Sequence, residues 1–131
     1  MAGLVVVDTD LIIDFLRGRG DGARLVRTLI IEGRLRTSAV TAFELRVGAD
    51  FLARRDDIMR LLRTRTVPLD LAAALRAGEV AAALQSSGQT IGLADCLQAG
   101  ICIRHDLPLA TRNRKHFSRV VDLRLADPDA I

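Results

Sequence analysis

The sequence predicts an α/β domain, a mainly parallel sheet of about five strands covered by helices on both faces, and three observations carry that expectation. Leu4-Val5-Val6-Val7 is an unbroken aliphatic run dominated by β-branched residues, the pattern of a strand buried on both sides. Short runs of this kind alternate with longer helical segments, and strands separated by helices join through right-handed crossovers into parallel sheets. The 131 residues suit a single domain over 1–131. A chain of this size buries about two-thirds of its unfolded surface, so a proper core is available.

The first strand, residues 4–7, ends at Asp8, and Asp8 or Thr9 caps a helix over 10–17 that Gly18 stops. A second helix fits residues 22–32, with Leu25, Leu29 and Ile30 on one side and Gly33 at its end. Residues 35–39 form the second strand. Thr41 then starts a helix to about residue 54, and residues 56–64 make another. Pro68 places the third strand, 67–69, at a sheet edge. The Ala- and Leu-rich residues 71–85 are helical, and Ser86-Ser87-Gly88 is the break. A helix over 93–104, a strand over 109–111 and a short fifth strand at 120–121 complete the series. In such sheets the site lies beyond the carboxyl ends of the strands, where strand order reverses.

Half the residues are apolar but only 3% are aromatic, with no Trp or Tyr, so the core is aliphatic. That composition argues against an RNA binder built on aromatic stacking platforms. Nineteen basic residues against 16 acidic give +3, and all the basic residues but Lys115 are Arg, the side chain whose planar fork suits phosphate. This balance points to a polyanionic partner. The mean hydropathy of +0.24 is high for a small domain and points to an apolar interface. Cys96 and Cys102 lack the C-x-x-C spacing of zinc or redox sites and read as small buried hydrophobes, which fits a reducing cytoplasm. Asp8, Asp10 and Asp14 interrupt the apolar opening, so no targeting segment is expected. No apolar stretch reaches the ~18 residues of a membrane span.

Three acids stand out. Asp8 follows Val5-Val6-Val7, where a carboxylate is costly to bury unless it caps a helix or holds a cation. Glu44 lies three residues after Thr41, the spacing of a capping box, yet its helix starts just past the second strand and faces the same edge as Asp8. Asp95 is the only acid from residue 80 to residue 104. It reads either as a first-turn residue on a polar face with Gln98 or as an inward ligand among Leu93, Ala94, Cys96 and Leu97. Residues 109–117 add a strand end and a polar, basic turn: Asn113 offers a carbonyl oxygen, Arg112, Arg114 and Lys115 offer charge, and His116 precedes Phe117. A solvated basic loop is the plainer reading of that run. Three carboxylates at one sheet edge repel unless a cation joins them. Oxygen ligands with few His or Cys select Mg²⁺ or Mn²⁺, and such an ion among arginines suits phosphodiester hydrolysis.

Four segments in this order and spacing resemble the PIN-domain ribonucleases, and within them the VapC-type toxins of bacterial toxin–antitoxin pairs. They are Val7-Asp8-Thr9-Asp10-Leu11-Ile12-Ile13-Asp14, Ser38-Ala39-Val40-Thr41-Ala42-Phe43-Glu44-Leu45, Ile91-Gly92-Leu93-Ala94-Asp95 and residues 107–117, and together they span nearly the whole chain. The resemblance implies a three-layer α/β/α fold and a metal site at Asp8, Glu44 and Asp95. Many members of the family carry a fourth acid just after the Thr that ends the fourth strand. This chain has Thr111-Arg112-Asn113 and then His116, so the first ion, held mainly by Asp8 and Asp95, is the one expected.

On that footing the expected activity is Mg²⁺-dependent endoribonuclease cleavage. Asp8 and Asp95 would bind the ion, and Glu44 would bind it or orient and deprotonate the attacking water. Asn113 would hold a water or the phosphate, and Thr9 would position Asp8 or touch the phosphate. Arg112, Arg114 and Lys115 would guide the RNA. The resemblance adds a VapB-like antitoxin, a homodimer and toxicity through cleavage of a structured cellular RNA. The alternatives are a PIN nuclease of RNA maturation or decay that needs no antitoxin, and a non-catalytic metal-binding interaction module.

Overall fold

The computed structural model describes residues 3–127. The first strand, β1 (Val5–Val7), is the hub of the sheet and is buried along its length. It pairs in parallel with β2 (Leu35–Ser38), Val5 opposite Leu35, and on its other side with β4 (Leu109–Ala110), Val7 opposite Ala110. β2 in turn pairs with β3 (Thr66–Val67), Ser38 opposite Val67. The order is therefore β3-β2-β1-β4, all parallel, with β3 at the edge as Pro68 requires.

Successive side chains of a strand point to opposite faces, and β1 divides its valines accordingly. Val5 and Val7 pack with Leu11, Ile12, Val26, Leu29 and Ile58 in one core. Val6 packs in the other with Val80, Ala99, Ile101 and Phe117. The first core is closed by α1 (Thr9–Arg17), α2 (Gly20–Ile31) and α4 (Arg55–Leu62). The second is closed by α5 (Leu71–Ser86), α6 (Leu93–Arg104) and the single turn α7 (Arg114–Phe117). The sheet is thus covered on both faces, and α3 (Ala39–Val47) straddles its edge, giving Leu45 to one core and Val40 to the other.

Two expected elements differ. The helix after β2 begins at Ala39 and stops at Val47, because Gly48 turns extended (φ −67°, ψ 158°) and residues 49–54 follow as turns. Residues 120–121 do not form a strand. Asp122 takes a left-handed conformation (φ 46°), and the chain meets the sheet only at Leu125, bridged to Leu109. Two β-branched residues before a forced turn are too few to build a ladder.

The connections fix where the site must be. From β1 the chain moves outward to β2 and β3, then crosses to the opposite side of β1 as β4. Strand order therefore reverses between β1 and β4, and the crevice at their carboxyl ends is flanked by Asp8 and Thr111. The crossover relies on a close approach of α5 and α6. A Cβ on Gly100 would lie 2.6 Å from the Ala73 carbonyl oxygen and 2.6 Å from the Ala77 Cβ. Gly100→Ala is accordingly expected to cost about 1–3 kcal/mol, read as a lower denaturation midpoint at unchanged slope.

Candidate active site

Asp8 leaves β1 and caps α1. Its Oδ1 accepts the Thr9 amide at 2.9 Å and its Oδ2 accepts the Thr111 hydroxyl at 2.7 Å. The Thr111 oxygen also accepts the Asn113 amide at 3.0 Å, which ties the end of β4 to the end of β1. Both readings of Asp8 therefore coexist, since it caps the helix and still faces the crevice. Burial pushes its carboxyl above the usual carboxylate range, more than its two hydrogen bonds pull it down, and the charge of Asp10 adds to the rise. Among the described residues no basic side chain forms an ion pair with it.

The capping-box reading of Glu44 does not hold. Ser38 is the N-cap of α3 and accepts the Thr41 amide at 3.2 Å, so Thr41 already lies inside the helix and Glu44 nearly a turn beyond it. Glu44 instead reaches α1: its Oε1 accepts the Thr9 hydroxyl at 2.6 Å, and Thr9 Oγ1 stands 2.9 Å from Thr41 Oγ1. With the Thr9 proton given to Glu44, Thr41 is the donor in the second bond, and a relay runs from Thr41 through Thr9 to the carboxylate. Thr9 is buried, so its hydroxyl serves Glu44 and its amide serves Asp8.

Asp95 sits in the first turn of α6, half-buried. Burial raises its carboxyl, the charge of Asp8 raises it further, and Glu44 and Asp10 add smaller contributions, while His116 pulls it down. The charges of Asp8, Glu44, Asp10 and His116 thus all act on Asp95. Asp10 was not singled out from the sequence, because an acid in a first helical turn is already explained by the helix dipole. Cys102 lies behind the cluster. Burial and then the charge of Asp8 push its thiol up to about 12, so it is an inert core group, as its spacing predicted.

Gln98, expected beside Asp95 on a polar face, is 2% exposed. The Ser38 hydroxyl donates to its Oε1, while its Nε2 finds no partner among the described residues. Ser38 caps the helix carrying Glu44, and Gln98 lies one turn beyond Asp95. This buried bond therefore joins the two helices that bring acids to the crevice.

The basic segment is partly helical and mostly engaged. Phe117 is fully buried and anchors α7, and Asn113 Nδ2 lies 2.8 Å from His116 Nδ1. Arg112 pairs with Asp14, which also accepts the Gly22 amide at 3.3 Å. Arg114 donates to the Ala126 carbonyl at 2.8 Å. Lys115 is exposed and has no ion-pair partner among the described residues.

Among the described residues no three Asp, Glu, His or Cys side chains stand together closely enough to hold a metal ion between them. The donor set nevertheless fits a hard divalent cation. Asp8 and Asp95 are both desolvated, the charge of Asp8 raises Asp95 further, and neither forms an ion pair with a basic side chain among the described residues. Mg²⁺ is ordinarily held by one or two carboxylates, keeping several waters and sharing substrate phosphates, so an open pair rather than a cage is what it takes. No helix among the described residues is long and apolar enough to cross a membrane.

Residues 5–123 match the PIN domain. The chain is 35% identical over 115 residues to Ribonuclease VapC10 of Mycobacterium tuberculosis, covering 87% of this chain and 86% of that protein. It is 28% identical over 127 residues to the tRNA(fMet)-specific endonuclease VapC of Shigella flexneri, covering 93% and 96%. Among solved structures, the DNA-bound VapBC of Salmonella typhimurium superposes with a TM-score of 0.81 at 25% identity, over 97% of this chain and 99% of that one. With the fold, these matches show the family: the chain belongs to the PIN-domain family, among its VapC ribonucleases.

Proposed function

We propose that this chain is a Mg²⁺-dependent endoribonuclease, with Mn²⁺ as a substitute, and the toxin of a type II toxin–antitoxin pair. The observation that carries the reading is Asp8: a desolvated carboxylate at the strand switch point, whose charge acts on Asp95 and which no basic side chain pairs among the described residues. Asp8 and Asp95 would hold the ion. Bound there, a divalent cation supplies charge neutralisation at the scissile phosphate and lowers the pKa of an attacking water. Glu44, kept in place by the Thr9–Thr41 relay, would orient an attacking water and take its proton as the new P–O bond forms and the bond to the leaving oxygen breaks. Asn113, braced by His116 and by the Thr111 hydroxyl, lies where it orients the phosphate or a water. Thr9 acts on the carboxylates rather than on the RNA, and Lys115 is the cation of the loop left to meet the backbone.

Partners follow from the uncovered apolar side chains. Phe43 and Val47, one turn apart on α3, are 69% and 71% exposed, and Leu71, Leu75 and Leu93 are exposed as well. Faces of this kind fit a homodimer and a VapB-like antitoxin. The Salmonella relative's solved form, a VapBC complex, supports the second.

The test is cleavage of total RNA with Mg²⁺, mapped at the new ends. EDTA should stop it, and cutting that persists in EDTA would sink the reading. Stability supplies a second check. Because the folded-state pKa of Asp8 and Asp95 lie above the unfolded value, the native state binds more protons there. Stability in EDTA should then fall as pH rises from the ordinary carboxylate range through the raised values. Asp8→Asn should hold or raise the melting temperature in EDTA, while Mg²⁺ stabilises only the wild type. Equal Mg²⁺ responses would exclude Asp8 as a ligand.

A further inference from the structure

In the loop beside the crevice, Lys115 is the one cation whose charged group has no partner among the described residues. Of the three cations in the loop after β4, Arg112 is held by Asp14 and Arg114 by a backbone carbonyl. A cleft of about 520 Å³ along α4 instead gathers Arg55, Arg60, Arg63 and Arg65, with Asp56 as the one acid of its lining; Arg65, like Arg114, donates to backbone carbonyls, those of Arg60 and Leu61. Arg55 and Arg63 are exposed and form no ion pair among the described residues. Arg60 meets Asp57 at 3.3 Å with both side chains mostly in water, a pair that a stronger anion displaces. Arg55 opens α4, where a cation opposes the helix dipole, and Asp56 and Asp57 already satisfy that turn. Its charge therefore serves something other than the helix.

We infer that this cleft is a second RNA-binding site, which grips phosphates of the substrate far from the bond being cut; the inference rests on the ribonuclease reading above. Arg55 to Arg63 spans roughly 12 Å of helix, long enough for more than one phosphate. Guanidinium forks are matched to phosphate oxygens. No aromatic side chain lines the cleft, so it would read the backbone and not the bases. A protein partner would need apolar anchors, and Met59 is the only large apolar side chain in the lining. The cleft reaches residues 64–65, just ahead of β3 at the amino edge of the sheet, whereas the acids lie at the carboxyl edge. Only an RNA large enough to pass around the β3 edge engages both.

The test compares wild type, R55E/R63E and the control R24E/R27E, which makes the same charge change on exposed positions of α2. Binding of bulk tRNA is measured in EDTA, where no cleavage is expected, across a salt series. R55E/R63E should weaken binding about tenfold or more and reduce the slope of log K against log salt by roughly 1.5, with the control near wild type. With Mg²⁺ it should raise KM on tRNA while kcat stays within about twofold. R55Q/R63Q should lie between, showing that charge and not misfolding is at issue. Equal losses in R55E/R63E and R24E/R27E would overturn the site, as would unchanged affinity and slope or a fall confined to kcat. Unchanged tRNA binding with loss of the co-expressed antitoxin would assign the cleft to a protein and overturn it too. Wild type that binds tRNA but does not cut it with Mg²⁺ would instead sink the ribonuclease reading, leaving the binding comparison to stand or fall by itself.

Discussion

Asp8→Asn and Asp95→Asn should each abolish RNA cleavage and leave the fold intact. Asn keeps the size of Asp and a carbonyl oxygen, so at position 8 one acceptor remains for the Thr9 amide or the Thr111 hydroxyl. What disappears is one of the charges that would hold a divalent cation, and with it the neutralisation of the phosphate and the acidified water together. A loss in kcat/KM of roughly a thousandfold or more is expected at limiting Mg²⁺. The native fold should survive, because both carboxylates are desolvated and repel each other, so removing one charge relieves a strain on the folded state. Near-wild-type cleavage by either variant at limiting Mg²⁺ would show that the acid is not a ligand. A variant that is inactive because it unfolds would be recognised by its melting curve.

The route from sequence to site was open where a residue's environment is set by its neighbours in the chain. Val5-Val6-Val7 needs no tertiary context to be a buried strand, and Asp8 at its end is conspicuous for that reason. Asp95 was visible because an isolated acid in a long apolar segment has few structural excuses. Legibility ended where a distant partner decides. Ser38 and Thr41 are both plausible caps, three residues apart. Ser38 is the true one because pairing of β2 with β3 holds it extended opposite Val67, and that pairing spans nearly thirty residues of chain. Gln98 read as a polar-face neighbour of Asp95, but its hydrogen-bond partner Ser38 is 60 positions away and both are buried. α7 is one turn long, too short for any periodicity to register, so its four residues read as loop. Arg112 and Arg114 read as free charge on a basic turn, but their guanidiniums are held by Asp14 and the Ala126 carbonyl, partners that the turn itself does not contain.

Glu44→Gln is the sharpest test of the chemistry, because the competing explanation of Glu44 has a different energetic signature. A capping-box Glu would contribute about 1 kcal/mol to stability and nothing to rate. The N-cap of α3 is Ser38, so that contribution belongs elsewhere and Gln at 44 should leave the melting temperature close to wild type. Gln also keeps a carbonyl oxygen to accept the Thr9 hydroxyl, now at 2.6 Å from the carboxylate, so the side chain stays where it is. Only the negative charge and the capacity to take a proton are lost. If Glu44 orients and deprotonates the attacking water, kcat should fall by about a hundredfold or more with a much smaller change in KM. Thr9→Val, which removes the hydroxyl fixing Glu44 but leaves its charge, should lower kcat by less. Retention of rate in Glu44→Gln, with Asp8→Asn inactive, would confine the chemistry to the Asp8–Asp95 pair and reduce Glu44 to a tether between α1 and α3.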